Sequence, residues 1–173
     1  MRSSLSELTL SIRFLRGVGE KRAQAFARLG VFTVEDLLFF FPRRYEDRRT
    51  LTPLGDLRPD TFSAVVAEVA SLSARPAGYR SGPFSISLTD GVSCVRAVWF
   101  NNPRLELQLR PGMRLALYGR VEYRGGLQLT NPEFEILEGE GAASVGRIVP
   151  VYPLAVPLSQ RWTRRLVGAV LES

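Results

Sequence analysis

The sequence predicts an α+β fold in which a small helical unit precedes a five-stranded β-barrel. Two patterns carry this. From Leu5 to about Phe41 the apolar residues recur at helical spacing, as in Leu5, Leu8, Ile12, Leu15 and then Ala23, Phe26, Ala27. Past residue 60 the period falls to two, as in Phe84, Ile86, Leu88 against Ser85, Ser87, Thr89. With 173 residues, 45% of them hydrophobic, the chain can bury a sizeable core.

Residues 1–45 form the helical unit. Gly30 after Leu29 stops one helix, Thr33 followed by Glu35 and Asp36 starts the next, and Pro42 ends it by withholding a backbone donor. Residues 46–60 are a connector, because from Arg43 to Pro59 the text turns to charged residues and chain breakers, with room for one short helical turn. Strands are expected at 62–72, 84–89, 93–100, 113–123 and 127–137, with Asp90-Gly91 as a hairpin turn and a short helix between Pro103 and Leu109. Five strands with one helix after the third is the plan of an OB-fold barrel, here 61–138. Residues 139–173 read as a linker and the start of a helix capped by Ser159; that helix is still running at Ser173, so a longer protein is expected.

Charge and composition then narrow the chemistry. Lys and Arg total 23 against 17 Asp and Glu, a net charge of +6, and Lys21 is the only lysine. An anionic partner suits this balance. The chain has no histidine and one cysteine, Cys94, which excludes Ser-His-Asp and Cys-His catalysis, imidazole-ligated zinc and intrachain disulfides. Asp and Glu alone remain for a catalytic or metal site, and they are scattered. The longest uncharged stretch, Ile148 to Gln160, is far below about 20 residues and holds three prolines, so no membrane partner is expected. Glu7 and Arg13 break any signal-like apolar segment, which gives a cytoplasmic address.

Two places have the composition of a nucleic-acid contact. In Leu15-Arg16-Gly17-Val18-Gly19-Glu20-Lys21-Arg22-Ala23, Gly17 and Gly19 permit positive φ, so amides at the following helix start can face a phosphate beside Lys21 and Arg22. The pattern resembles the helix-hairpin-helix motif, and it also fits an ordinary tight turn between helices. In the barrel, Trp99 and Phe100 end the third strand beside Arg96 and Arg104. Alternation places Trp99 with Val95 and Ala97, and Phe100 with Cys94, Arg96 and Val98, so one ring faces the core and the other is available to stack on a base. Capping of the barrel by Phe100 is the other reading. Tyr118, Tyr123, Arg120 and Arg124 on the fourth strand share this ambiguity, and Arg75, Tyr79 and Arg80 lie in the loop between the first two strands, where OB folds often bind nucleic acid.

The string Leu37-Leu38-Phe39-Phe40-Phe41-Pro42-Arg43-Arg44-Tyr45-Glu46-Asp47, with Leu15-Arg-Gly-Val-Gly before it and Val149-Pro150-Val151-Tyr152-Pro153-Leu154 after the barrel, closely resembles the RecG family of bacterial ATP-dependent branch-migration DNA helicases. The resemblance runs from about Leu15 to the C-terminus. It implies a wedge domain that sits at a DNA branch point, such as a stalled replication fork or Holliday junction, and splits the arms during fork reversal and branch migration in repair and recombination. Phe100 matches the family aromatic that stacks on an exposed base pair. Arg104 stands where some members carry a second aromatic, and a guanidinium plane can also stack. The resemblance further implies a helicase motor in the same polypeptide, with ATP and Mg bound there, a monomer, and a nucleoid-associated location. No GxxxxGK[ST] pattern occurs and Lys21 is followed by Arg22, so no cofactor is expected in this chain itself. The rival functions are a structural or protein-binding OB domain and a binder of single-stranded nucleic acid or RNA.

Overall fold

A computed structural model of the chain describes residues 8–73, 82–100, 105–137 and 146–172. They divide into two units, one of Met1–Glu46 with Pro150–Ser173 and the other of Asp47–Val149. The region expected as linker and outgoing helix is thus split, because residues from Pro150 onward cluster with the N-terminal helices.

The first unit contains α1 (Glu20–Ala27), α2 (Val34–Leu38) and α3 (Gln160–Leu171). Each begins as the sequence dictates. Gly19 caps α1, and Thr33 and Asp36 form a reciprocal capping box on α2, with the Asp36 carboxylate accepting from the amides of Phe32 and Thr33 at 2.9 Å each. Ser159 accepts from Trp162 at the start of α3. Helix α2 ends at Leu38, ahead of Pro42, and the segment leading to Leu15 shows a 3-10 turn at Ile12–Phe14 in place of a continued helix. There the Ile12 amide donates to Phe32 O and Ser11 bridges Thr33, so the backbone pairs across the unit. Phe26 is fully buried, stacked edge-on by Phe40 and flanked by Trp162. Burying such a ring is worth about 1.5–3 kcal/mol. Gln160 locks the chain before α3, accepting from the Tyr152 amide at 3.0 Å and donating to the Tyr152 carbonyl at 2.7 Å.

The connector holds a strand that the sequence pattern hides. It is β1 (Arg44–Asp47), which pairs with β7 (Ile148–Val151), followed by a 3-10 turn at Leu54–Asp56. The barrel strands are β2 (Phe62–Leu72), β3 (Phe84–Thr89), β4 (Cys94–Trp99), β5 (Arg114–Tyr123) and β6 (Leu127–Ile136), within a residue or so of expectation. They close in the order β2-β3-β4-β6-β5, with β4 and β6 parallel and the other pairs antiparallel. This is an OB-fold barrel. Its core stacks Val65, Val69, Ile86, Leu88, Ala97, Leu115, Leu117, Val121 and Leu129, all inward members of alternating pairs. The β3–β4 hairpin turns at Gly91, φ +90, and the Asp90 carboxylate secures it by accepting from Val92, Ser93 and the Leu54 amide of the preceding turn.

Candidate functional site

The end of β4 is built by an irregularity in β6. At Asn131-Pro132 the register between β5 and β6 shifts, and Asn131 takes a left-handed φ of +45°. Gly119 faces this point because any Cβ there would stand 2.8 Å from Pro132 Cβ. The irregularity supplies two acceptors to β4. Trp99 Nε1 donates to the Pro132 carbonyl at 2.8 Å, and the Phe100 amide donates to Asn131 Oδ1 at 2.8 Å.

These bonds assign the two aromatics opposite roles. Trp99 was expected among the contact residues, and the structure corrects this. It is 5% exposed, stacks on Phe84, meets Phe134 edge-on and belongs to the barrel core with Val95 and Ala97. Phe100 lies 43% exposed at the strand end, held by its main chain rather than by its ring.

Across β4, β6 and β5 the outer face carries arginine. Arg96 pairs in register with Gln128, and Gln128 with Glu122. Arg124 Nε donates to Glu122 Oε2 at 3.0 Å, and Arg120 to Asp60 at 2.9 Å. The Arg124 hydrogen bond is the main reason that the Glu122 carboxyl ionises below its ordinary range, with Thr130 and the Arg120 charge adding to it. The β5–β6 turn holds Gly125 and Gly126, both at positive φ, so Arg124 sits on a tight reversal. Tyr123 is 69% exposed, whereas Tyr118 is half-buried between Phe62 and the guanidinium of Arg48. Arg48 is itself buried, with an ion pair to Glu133 at 2.9 Å.

The hairpin of the first unit is arranged differently from expectation. Gly17 has φ +87°, but Gly19 has φ −80° and serves as an extended helix cap, so only one glycine needs the left-handed region. Val18 between them is buried. Arg22 is committed to the fold, donating to the Gly17 carbonyl at 2.7 Å and lying 4.3 Å over the Trp162 ring. Glu20 opens α1 and pairs with Arg13 at 2.7 Å, placing a carboxylate where an anion would sit. Lys21 is exposed. Arg75, Tyr79, Arg80 and Arg104 lie outside the described residues.

Sequence reasoning missed Asn131, Pro132 and Gln128. A signal for the first two was present, since Asn-Pro inside an alternating run marks a break in a ladder. Gln128 carried none.

The site therefore defines an OB-fold barrel displaying Phe100, Tyr123 and several arginines, in a chain that also carries a small helical unit. The RecG wedge domain profile matches residues 11–173, and the chain belongs to the RecG wedge domain family. It is 32% identical over 167 residues to the ATP-dependent DNA helicase RecG of Pasteurella multocida and 33% identical over 165 residues to that of Thermotoga maritima. Each alignment covers 92% of this chain but only 24% and 21% of the relative, so the chain spans about a quarter of their length. A solved structure of RecG bound to a three-way DNA junction superposes with a TM-score of 0.75 at 31% identity, over 93% of this chain and 22% of that one.

Proposed function

We propose that this chain is the junction-binding wedge module of a RecG-type DNA helicase, with Phe100 as the residue that stacks at the branch point. The observation that carries this reading is the exposed Phe100 ring, fixed through its backbone to Asn131 at the rim of an arginine-bearing barrel. Opening a base step costs a few kcal/mol, and a rigid ring that replaces the lost stacking returns about 1–3 kcal/mol of it. Rigidity matters here, because a mobile ring would lose that gain to ordering. The Trp99 and Asn131 bonds fix the strand end from which the ring projects. Arg96, Arg120 and Arg124 on the outer face, with Arg75, Arg80 and Tyr79 from the β2–β3 loop and Arg104 after β4, hold the arms through their phosphates. The Gly17, Gly19, Lys21 and Arg22 hairpin contributes mainly by fixing the helical unit.

Nucleotide chemistry belongs elsewhere in the longer protein. Lys21 stands inside helix α1 and is followed by Arg22, so these residues do not form a phosphate loop for ATP and Mg. The module works within one polypeptide with its motor, as a monomer, on forks and Holliday junctions in the nucleoid of a bacterial cytoplasm, in repair and recombination.

Competition between a three-way junction, linear duplex and single strand, repeated across a salt series, tests the reading. Junction preference with affinity falling steeply in salt is expected. Equal affinity for all three overturns the branch-specific role, preference for the single strand favours the rival nucleic-acid reading, and absence of salt-sensitive binding leaves a structural or protein-binding domain. In the longer protein, Phe100→Ala should lower unwinding more than duplex binding.

A further inference from the structure

We propose that Gln128, Thr130 and Glu122 form a hydrogen-bonded relay that holds Arg96 and Arg124 together as a paired binding site for nucleic-acid phosphodiesters. This rests on the reading of the barrel as a DNA-binding module and adds positioning residues to it.

The relay is continuous across three strands. Gln128 Oε1 accepts from Arg96 Nη2 at 3.0 Å, and Gln128 Nε2 donates to Thr130 Oγ1 at 3.1 Å. Thr130 Oγ1 in turn donates to Glu122 Oε2 at 3.0 Å, the same oxygen that accepts from Arg124 Nε at 3.0 Å. Arg96 Nη2 also reaches the Arg124 carbonyl at 3.4 Å, which ties β4 to the β5–β6 turn. Arg96 stands opposite Gln128 in the ladder and Gln128 opposite Glu122, while Thr130, two residues along β6 from Gln128, reaches Glu122 diagonally.

Gln128 is 2% exposed although it points to the polar, outer network of the barrel. A buried amide is costly unless each of its groups is paired, so it fixes its neighbours as strictly as they fix it. A single arginine would satisfy Glu122. Arg124 does so, and Arg96 is a second guanidinium oriented only by neutral oxygens, with no carboxylate bonded to it among the described residues. Its Nε and Nη1 donors, and both terminal nitrogens of Arg124, have no partner among the described residues. A planar guanidinium fixed along one edge presents the remaining donors in a fork that matches two phosphate oxygens. Arg120 lies outside this relay and pairs with Asp60. Arg96, Arg124 and Glu122 together keep one net positive charge, since Glu122 compensates Arg124 and no carboxylate compensates Arg96 among the described residues, and a phosphodiester is the anion that a DNA-binding barrel meets.

The experiment measures junction binding by the full 173-residue chain across a salt series, for the wild type, Arg96→Ala, Arg96→Lys, Gln128→Leu and the Arg96→Ala/Gln128→Leu double variant. Arg96→Ala should weaken binding about tenfold and lower the salt slope by about 1. Arg96→Lys should keep the slope yet lose affinity by about threefold, because an ammonium cannot reproduce the fork. Gln128→Leu should weaken binding about fivefold on its own and add nothing in the Arg96→Ala background, as expected of residues acting through one contact. If Gln128→Leu does not fold, Thr130→Val interrupts the same relay and takes its place in the cycle. The proposal is overturned if the two losses simply multiply, if lysine equals arginine, or if Arg96→Ala leaves slope and affinity unchanged. A wild-type chain with no salt-dependent junction binding would instead refute the DNA-binding reading on which the proposal stands.

Discussion

Phe100→Ala separates stacking from packing. A phenylalanine offers on the order of 200 Å², and the residue is 43% exposed, which leaves at most about 85 Å² for a base to cover. At about 25 cal/mol per Å² this amounts to about 2 kcal/mol, or roughly 30-fold in Kd, inside the range of base stacking on an aromatic. The main-chain bond from Phe100 to Asn131 survives the substitution, so the strand end keeps its path. Fluorescence anisotropy with a labelled three-way junction, at several salt concentrations, reads both consequences. Affinity should fall about 30-fold with the salt slope unchanged, because stacking displaces no counterions. Binding to linear duplex, which has no exposed base pair at a branch, should change by less than about threefold. An equal loss on both DNAs would refute stacking at the branch point, and a fall in slope would mean that the ring serves to place an arginine.

Other perturbations follow from the same geometry. Trp99→Phe keeps the core ring but strands the Pro132 carbonyl, so thermal or urea unfolding should show about 1–3 kcal/mol of lost stability. Gly119→Ala drives a Cβ to within 2.8 Å of Pro132 and should destabilise the barrel by about 1–3 kcal/mol in the same assay; no change would show that β6 yields easily there. Asp36 and Asp90 ionise below the ordinary value of 3.8 because backbone amides bind their charged forms. The unfolded chain therefore binds more protons in acid. Their contribution is full above 3.8 and is lost as pH falls through the lower native values. Stability followed by circular dichroism should hold from neutrality to about pH 5 and then decline, and Asp90→Asn should flatten that decline; an unchanged acid limb would remove Asp90 from the cause.

Where structure depends on neighbours along the chain, the residues themselves were sufficient. Strands β2 and β3 stand where alternation put them, Thr33 and Ser159 cap the helices that follow them, and Asp90-Gly91 turns the hairpin, since propensity, capping and turn geometry are settled within a few residues. The family motif was legible for the same reason. Alternation also stated that one of Trp99 and Phe100 faces inward but left open which, and the fold decided it.

Tertiary structure decided the rest. Asn131 meets Phe100, and Arg96 meets Gln128, only because β4 and β6 lie side by side in parallel, a pairing between segments distant in sequence. The clustering of Pro150–Ser173 with the N-terminal helices has the same origin, in a core shared by Phe26, Tyr152 and Leu166. Composition alone made this an arginine-rich chain suited to an anion. Folding determined which arginines are engaged within the structure, as Arg22 and Arg48 are, and which keep donors without a partner among the described residues, as Arg96 does, because a guanidinium's role is set by the acceptors that folding brings within its reach.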